Sequence, residues 1–183
     1  MNKRMDIGLL GLGTVGTGVA NIINSPEGRH PLVSSINISR IAVRDINRPR
    51  SIAIDSSILT EDPYEVVNDS KINLIVEAIG GIEPARSLIL SAIKSGKSVV
   101  TANKAVIARY GKEISDAANE AGVYVLIEAA VGGGIPIIEP LKQSLGGNRI
   151  NKVTGIINGT TNYILSQMTK DGAKYSDILK EAQ

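Results

Sequence analysis

Four groups of residues in this 183-residue sequence have the types and spacing to do chemistry. The first is Gly11-Leu12-Gly13-Thr14-Val15-Gly16. It follows the apolar run Ile7-Gly8-Leu9-Leu10 and opens the helical pattern Val19-Ala20-Asn21-Ile22-Ile23. At such a strand-to-helix turn, Gly11 lets the chain reverse sharply, Gly13 lets the backbone approach a pyrophosphate, and Gly16 lets the helix sit close to the strand. The helix start offers unpaired N–H groups and a partial positive charge to the phosphates. A turn that merely permits close packing would look similar. The second group is Arg44-Asp45, at the tip of the alternating run 37–43. A carboxylate there accepts hydrogen bonds from the ribose of NAD, whereas an arginine favours the 2′-phosphate of NADP. We assign Arg44 to the phosphate, with Arg48 and Arg50 adding charge nearby, against the simpler reading of a solvated charge pair. The third is Lys104, just after the apolar run 98–101. An ammonium group there can stabilise charge growing on a carbonyl oxygen and take part in proton transfer. The alternative is a helix-start lysine in solvent. The fourth is Glu128 followed by Gly132-Gly133-Gly134. The glycines let backbone carbonyls converge on a ligand or on a hard cation beside the carboxylate, or they form a hinge.

These groups need a sheet that brings them to one edge. Apolar runs predict strands over residues 5–10, 37–43, 56–60, 72–78, 98–101 and 123–127. Helical patterns follow the first glycine turn and occupy 64–68, behind the Asp62 cap and Pro63, then 84–95 and 113–121. The alternation predicts an α/β fold with a doubly wound, mostly parallel sheet. The chain has no Trp and no Phe, so Ile, Val, Leu and Ala must build the core, which suits buried parallel strands. Ligands of such sheets bind beyond the carboxyl ends of the strands. Gly80 and Gly81 follow one of those ends and are expected to face the nicotinamide-side ribose or phosphate, unless they are an ordinary turn. We place the dinucleotide-binding domain at 1–134 and an incomplete α+β substrate and dimerisation segment at 135–183. In that segment, Pro136 is expected to open a helix to Gln143 or Leu145, and 151–157 to form a strand. Asn158-Gly159-Thr160-Thr161 could line a substrate pocket, 162–168 reads as a helix, and Ser176 as the cap of a last one. So short a segment either packs on a second copy or belongs to a longer chain.

The formal net charge is +2 and no dense Lys/Arg run occurs, so nucleic acid and membrane surfaces are not expected partners. With no cysteine, disulfides and thiol catalysis are excluded. No signal peptide or apolar span of membrane length is visible, and we expect a cytoplasmic protein. His30, the single histidine, stands between Arg29 and Pro31 and reads as an exposed loop residue, not an acid or a metal ligand.

Five stretches together resemble the homoserine dehydrogenases: the glycine turn at 11–16, Gly80-Gly81-Ile82-Glu83-Pro84-Ala85, Thr101-Ala102-Asn103-Lys104, the run 128–136, and Asn158-Gly159-Thr160-Thr161-Asn162-Tyr163-Ile164-Leu165. The resemblance is to the bacterial type with a regulatory domain. It implies a Rossmann domain and NAD- or NADP-dependent interconversion of L-homoserine and L-aspartate 4-semialdehyde, on the route to threonine, isoleucine and methionine. It implies cofactor contacts at Gly13, Thr14, Val15, Arg44 and Lys104, with Lys104 one of two active-site lysines. It further implies a homodimer formed through the substrate domain, and from the pocket-like stretch above we assign Asn158, Gly159 and Thr160 to the substrate. A sodium ion or similar cation is implied at Glu128, with backbone oxygens of Val131, Gly133 and Ile135. The family's Glu-Ala-Asp-Pro and Gly-x-Asp-x-x-x-Lys stretches, which hold the substrate amino group and the second lysine, do not occur in these residues. We therefore expect a cofactor-binding N-terminal portion with little dehydrogenase activity by itself. The alternative is a non-catalytic, dinucleotide-binding regulatory module.

Overall fold

The computed structural model describes residues 4–155 and 159–182. Six parallel strands form one sheet: β1 (Met5–Leu10), β2 (Ile36–Ala42), β3 (Leu59–Thr60), β4 (Leu74–Glu77), β5 (Ser98–Thr101) and β6 (Val125–Leu126). Their order is β3-β2-β1-β4-β5-β6. The chain winds outward from β1 to β3, returns to the middle, and winds outward the other way. The reversal falls between β1 and β4, where open α/β sheets bind their ligands.

Four helices cover the sheet: α1 (Thr14–Asn24), α2 (Pro63–Val67), α3 (Ala85–Lys94) and α4 (Lys104–Ala121). Alternation along each strand divides the core in two. Ile7 and Leu9 of β1 pack with Ala20 of α1 and with Ile38 and Ile41 of β2. Leu10 faces the other way, into a cluster holding Val66, Ile75, Leu88, Ile89, Val99, Val106 and Ile114. Gly8 shares that second face, and a Cβ there would lie 2.4 Å from Val66 Cγ1, so α2 depends on the missing side chain.

Several elements differ from the sequence expectation. Only Leu59–Thr60 of the expected strand 56–60 pairs, because Asp55 accepts a hydrogen bond from Ser57 N–H and starts a 3₁₀ turn over Ser56–Ile58. The helix expected at 113–121 begins at Lys104 and runs 18 residues. Its first half carries Gly111 and exposed Arg109, which blur the stripe of Val106, Ile114 and Ala118. Asp62 does cap α2, accepting from Tyr64 N–H at 2.8 Å.

The chain divides into two compact units, Met1–Ala130 and Val131–Gln183. In the second unit the helix expected from Pro136 starts later, with residues 138–139 helical and running into a π-helical turn, Pro140–Ser144. Pro140 has no N–H to continue a helix opened at Pro136. Residues 151–155 have no regular structure in place of the expected strand, and 156–157 lie outside the described residues. Helices α5 (Gly159–Asp171) and α6 (Tyr175–Ala182) follow. They pack on one another around buried Ile164 and Ile178, and Tyr163 Oη donates to Glu181 Oε1 at 2.8 Å. Ser176 lies inside α6 and is not its cap, and its hydroxyl turns to Asp177 Oδ1.

Candidate active site

Three turns leave the carboxyl edge of the sheet side by side. Backbone hydrogen bonds continue one residue past the strands: Gly11 N–H to Ala42 O at 2.9 Å, Ala78 N–H to Leu10 O at 2.8 Å, and Ala102 N–H to Glu77 O at 3.1 Å. The turns after β1, β4 and β5 are thereby held together.

In the first turn Gly11 has φ +96°, and a Cβ there would stand 2.7 Å from Ala78 O. Conformation and contact both demand glycine. A Cβ on Gly16 would stand 2.1 Å from Gly11 O and 3.8 Å from the Leu9 side chain. The third glycine thus lets α1 rest on the turn itself, more than on the strand. Gly13 is different: a Cβ there meets no atom within 4 Å. Gly13 caps α1, no side chain accepts a hydrogen bond from the first turn, and no acidic residue lies in it. Thr14 and Val15 are exposed at this helix end, while Gly16 is buried.

The second turn carries two left-handed glycines, Gly80 at φ +81° and Gly81 at φ +75°, and space opposite Gly80 is also open. Glu77, the last residue of β4, holds this turn. Its side chain is completely buried. Oε1 accepts from Ile79 N–H at 2.9 Å, Gly80 N–H at 3.4 Å and Asn103 Nδ2 at 3.5 Å. Oε2 accepts from Thr101 Oγ1 at 2.6 Å. In the third turn, Asn103 Nδ2 also donates to Gly81 O at 2.7 Å, and its Oδ1 accepts from Val106 N–H, capping α4. Lys104 is the exposed first residue of α4, on the same edge as the first glycine turn. Reading the sequence missed Glu77 and Asn103. The available signal was a carboxylate inside an apolar strand, directly before a glycine pair.

At the tip of β2, Arg44 is exposed and takes part in none of the ion pairs found among the described residues. Arg50 does not supply the extra free charge expected of it. Its guanidinium donates to Ile46 O and Arg48 O, each at 2.9 Å, and to Asp45 O at 2.6 Å, so it folds the loop onto itself. His30 is exposed and caps a 3₁₀ turn, accepting from Leu32 N–H.

Glu128 opens a 3₁₀ turn, Glu128–Ala130, at the end of the first unit. Val131, Gly133 and Ile135 belong to the second, with Gly132 and Gly133 at positive φ. Among the described residues no three His, Cys, Asp or Glu side chains gather as metal ligands, and no helix is long and apolar enough to cross a membrane. Gly159 and Thr160 are the exposed first residues of α5, and Asn158 lies outside the described residues.

Comparison with known families decides among dinucleotide folds. The family model for the NAD-binding domain of homoserine dehydrogenase matches residues 11–128, and that for homoserine dehydrogenase matches 136–183. The chain belongs to the homoserine dehydrogenase family. It is 59% identical to the homoserine dehydrogenase of Synechocystis sp. over 177 residues, covering 97% of this chain and 41% of that relative. Against the Bacillus subtilis homoserine dehydrogenase it is 41% identical, covering 99% of this chain and 42% of the relative. The crystal structure of a homoserine dehydrogenase from Thiobacillus denitrificans superposes with a TM-score of 0.87 at 47% identity, over 99% of this chain and 42% of that one. The chain thus spans about two fifths of the length of these homoserine dehydrogenases.

Proposed function

We propose that this chain forms the cofactor-binding part of an enzyme that interconverts L-homoserine and L-aspartate 4-semialdehyde with NADP or NAD, in the biosynthesis of threonine, methionine and isoleucine. One observation carries the reading: α1 starts without a side-chain cap behind the open space at Gly13, at the switch point of the sheet, beside the open glycine turn at Gly80. When bound, the dinucleotide supplies or accepts a hydride at its nicotinamide ring.

The residues present fit that group. Gly11 and Gly16 shape the turn, and the first-turn N–H groups at Thr14 and Val15 suit the pyrophosphate. Exposed Arg44 suits a 2′-phosphate, which inclines the site toward NADP. Gly80 suits the nicotinamide-side ribose or phosphate. The Lys104 ammonium holds the charge that grows on the substrate oxygen and can carry its proton. Asn158, Gly159 and Thr160 are assigned to substrate. A carboxylate at Glu128 with backbone oxygens of Val131, Gly133 and Ile135 is an all-oxygen set with one negative charge, which suits a hard cation such as sodium. Turnover, the homodimer and a cytoplasmic location are proposed for the whole protein.

The test is titration of NADPH into this chain and into Gly13→Ala. The chain should bind saturably, and the variant should lose about tenfold or more in affinity while keeping its fold, since a methyl there blocks only the ligand's approach. An unsubstituted chain that binds no NADPH overturns the proposal.

A further inference from the structure

The β4–β5 backbone pairing ends at Glu77 opposite Thr101. Beyond that point two turns diverge, and one of them holds two successive left-handed glycines. Glycine pairs are entropically costly to hold in one conformation. The described groups bonded to the Glu77 carboxylate are all donors, namely two backbone N–H groups, a hydroxyl and an amide, with no cation among them. That is an anion held by neutral dipoles, an expensive group to bury. One turn of pleat earlier, Ile75 stands opposite Val99, an aliphatic pair. The carboxylate stands only at the edge where the cofactor is expected. Asn103 then passes the constraint onward, since it bonds Glu77 and Gly81 and caps the helix that Lys104 begins.

We propose that Glu77 is a positioning residue, whose buried carboxylate locks the turn at 78–81 to the start of α4 so that Gly80 and Lys104 meet the nicotinamide half of the cofactor in one fixed geometry. This rests on the cofactor reading above. It adds a role for a side chain that touches no ligand and acts through Gly80, Gly81 and Asn103.

Glu77→Gln and Thr101→Val test it in this chain. The probes are NADPH, followed by nicotinamide emission, and adenosine 2′,5′-bisphosphate, which contains only the adenosine half. Both variants should bind NADPH about tenfold more weakly, with loss of the emission change on binding, while the bisphosphate stays within about twofold of the unsubstituted chain. Parallel weakening of both ligands, or no weakening of either, overturns the assignment. Valine suits a strand, so Thr101→Val decides if Glu77→Gln does not fold. If neither variant folds, Glu77 is a structural residue and the assignment also falls. An unsubstituted chain that binds the bisphosphate but not NADPH defeats the nicotinamide-side reading. One that binds neither defeats the cofactor site as a whole.

Discussion

Glu77 and Thr101 face each other across two parallel strands, and the threonine hydroxyl donates to the buried carboxylate at 2.6 Å. Thr101 is the partner of Oε2, whereas the other three donors converge on Oε1. Replacing Thr101 by Val keeps the β-branched shape, leaves Oε2 without that donor, and leaves Asn103 N–H without the hydroxyl that accepts from it at 3.0 Å. The loss should cost about 1–3 kcal/mol of stability, the usual penalty for an unsatisfied buried acceptor. Urea denaturation measures it, and a cost near zero would mean that water reaches the carboxylate.

The glycines of the first turn should separate packing from binding. Gly16→Ala places a methyl against the Gly11 carbonyl, which is backbone and cannot swing aside. Its melting temperature should fall by several degrees, as for other core overpacking. Gly13→Ala meets no neighbour and should melt close to the unsubstituted chain while binding NADPH poorly. Equal melting temperatures for the two variants would show that α1 has room to move off the turn.

Arg44 and Arg50 should behave differently although both belong to one loop. Arg44→Ala should weaken NADPH by about tenfold or more and leave NADH nearly unchanged, because only the former carries the phosphate that a free guanidinium would bind. Arg50→Met removes the donors that tie Asp45 O, Ile46 O and Arg48 O together. Its signature should be faster amide hydrogen exchange over 45–50. An unaltered NADPH-to-NADH ratio in Arg44→Ala would sink the 2′-phosphate assignment.

Acid should act partly through Asp6. Its Oδ1 accepts from Asn37 Nδ2 at 2.7 Å and from Ser39 Oγ at 2.9 Å. The Asn37 bond first, then the Ser39 bond, hold this carboxyl below the ordinary aspartate range, with Arg4 adding a smaller pull. A depressed folded-state value means the unfolded chain takes up the proton more readily. The stabilisation is therefore complete above the ordinary aspartate range and is lost as pH falls through the folded-state value. The stability gap between the unsubstituted chain and Asp6→Asn should narrow from about pH 5 to about pH 2. A gap that stays constant over that interval would contradict it.

What the amino-acid order settled by itself is local. The turn at 11–16 follows from glycines within six positions of one another, the cap at Asp62 accepts from a residue two positions on, and strands such as β1 and β5 announce themselves as short apolar runs. The homoserine dehydrogenase resemblance was carried by the same kind of contiguous signal, at 80–85, 101–104 and 128–136. The tertiary structure decided whatever depends on a partner far along the chain. Glu77 reads as one more strand residue until β5 brings Thr101 and Asn103 to it from 24 and 26 residues away. Arg50 reads as free charge until its loop closes on it. Residues 56–58 look extended, yet of the run 56–60 only Leu59 and Thr60 pair with β2. A glycine's φ or a helix cap is an energy of neighbours, whereas a buried carboxylate is tolerable only once the fold has gathered donors around it, and no window of adjacent residues contains that information.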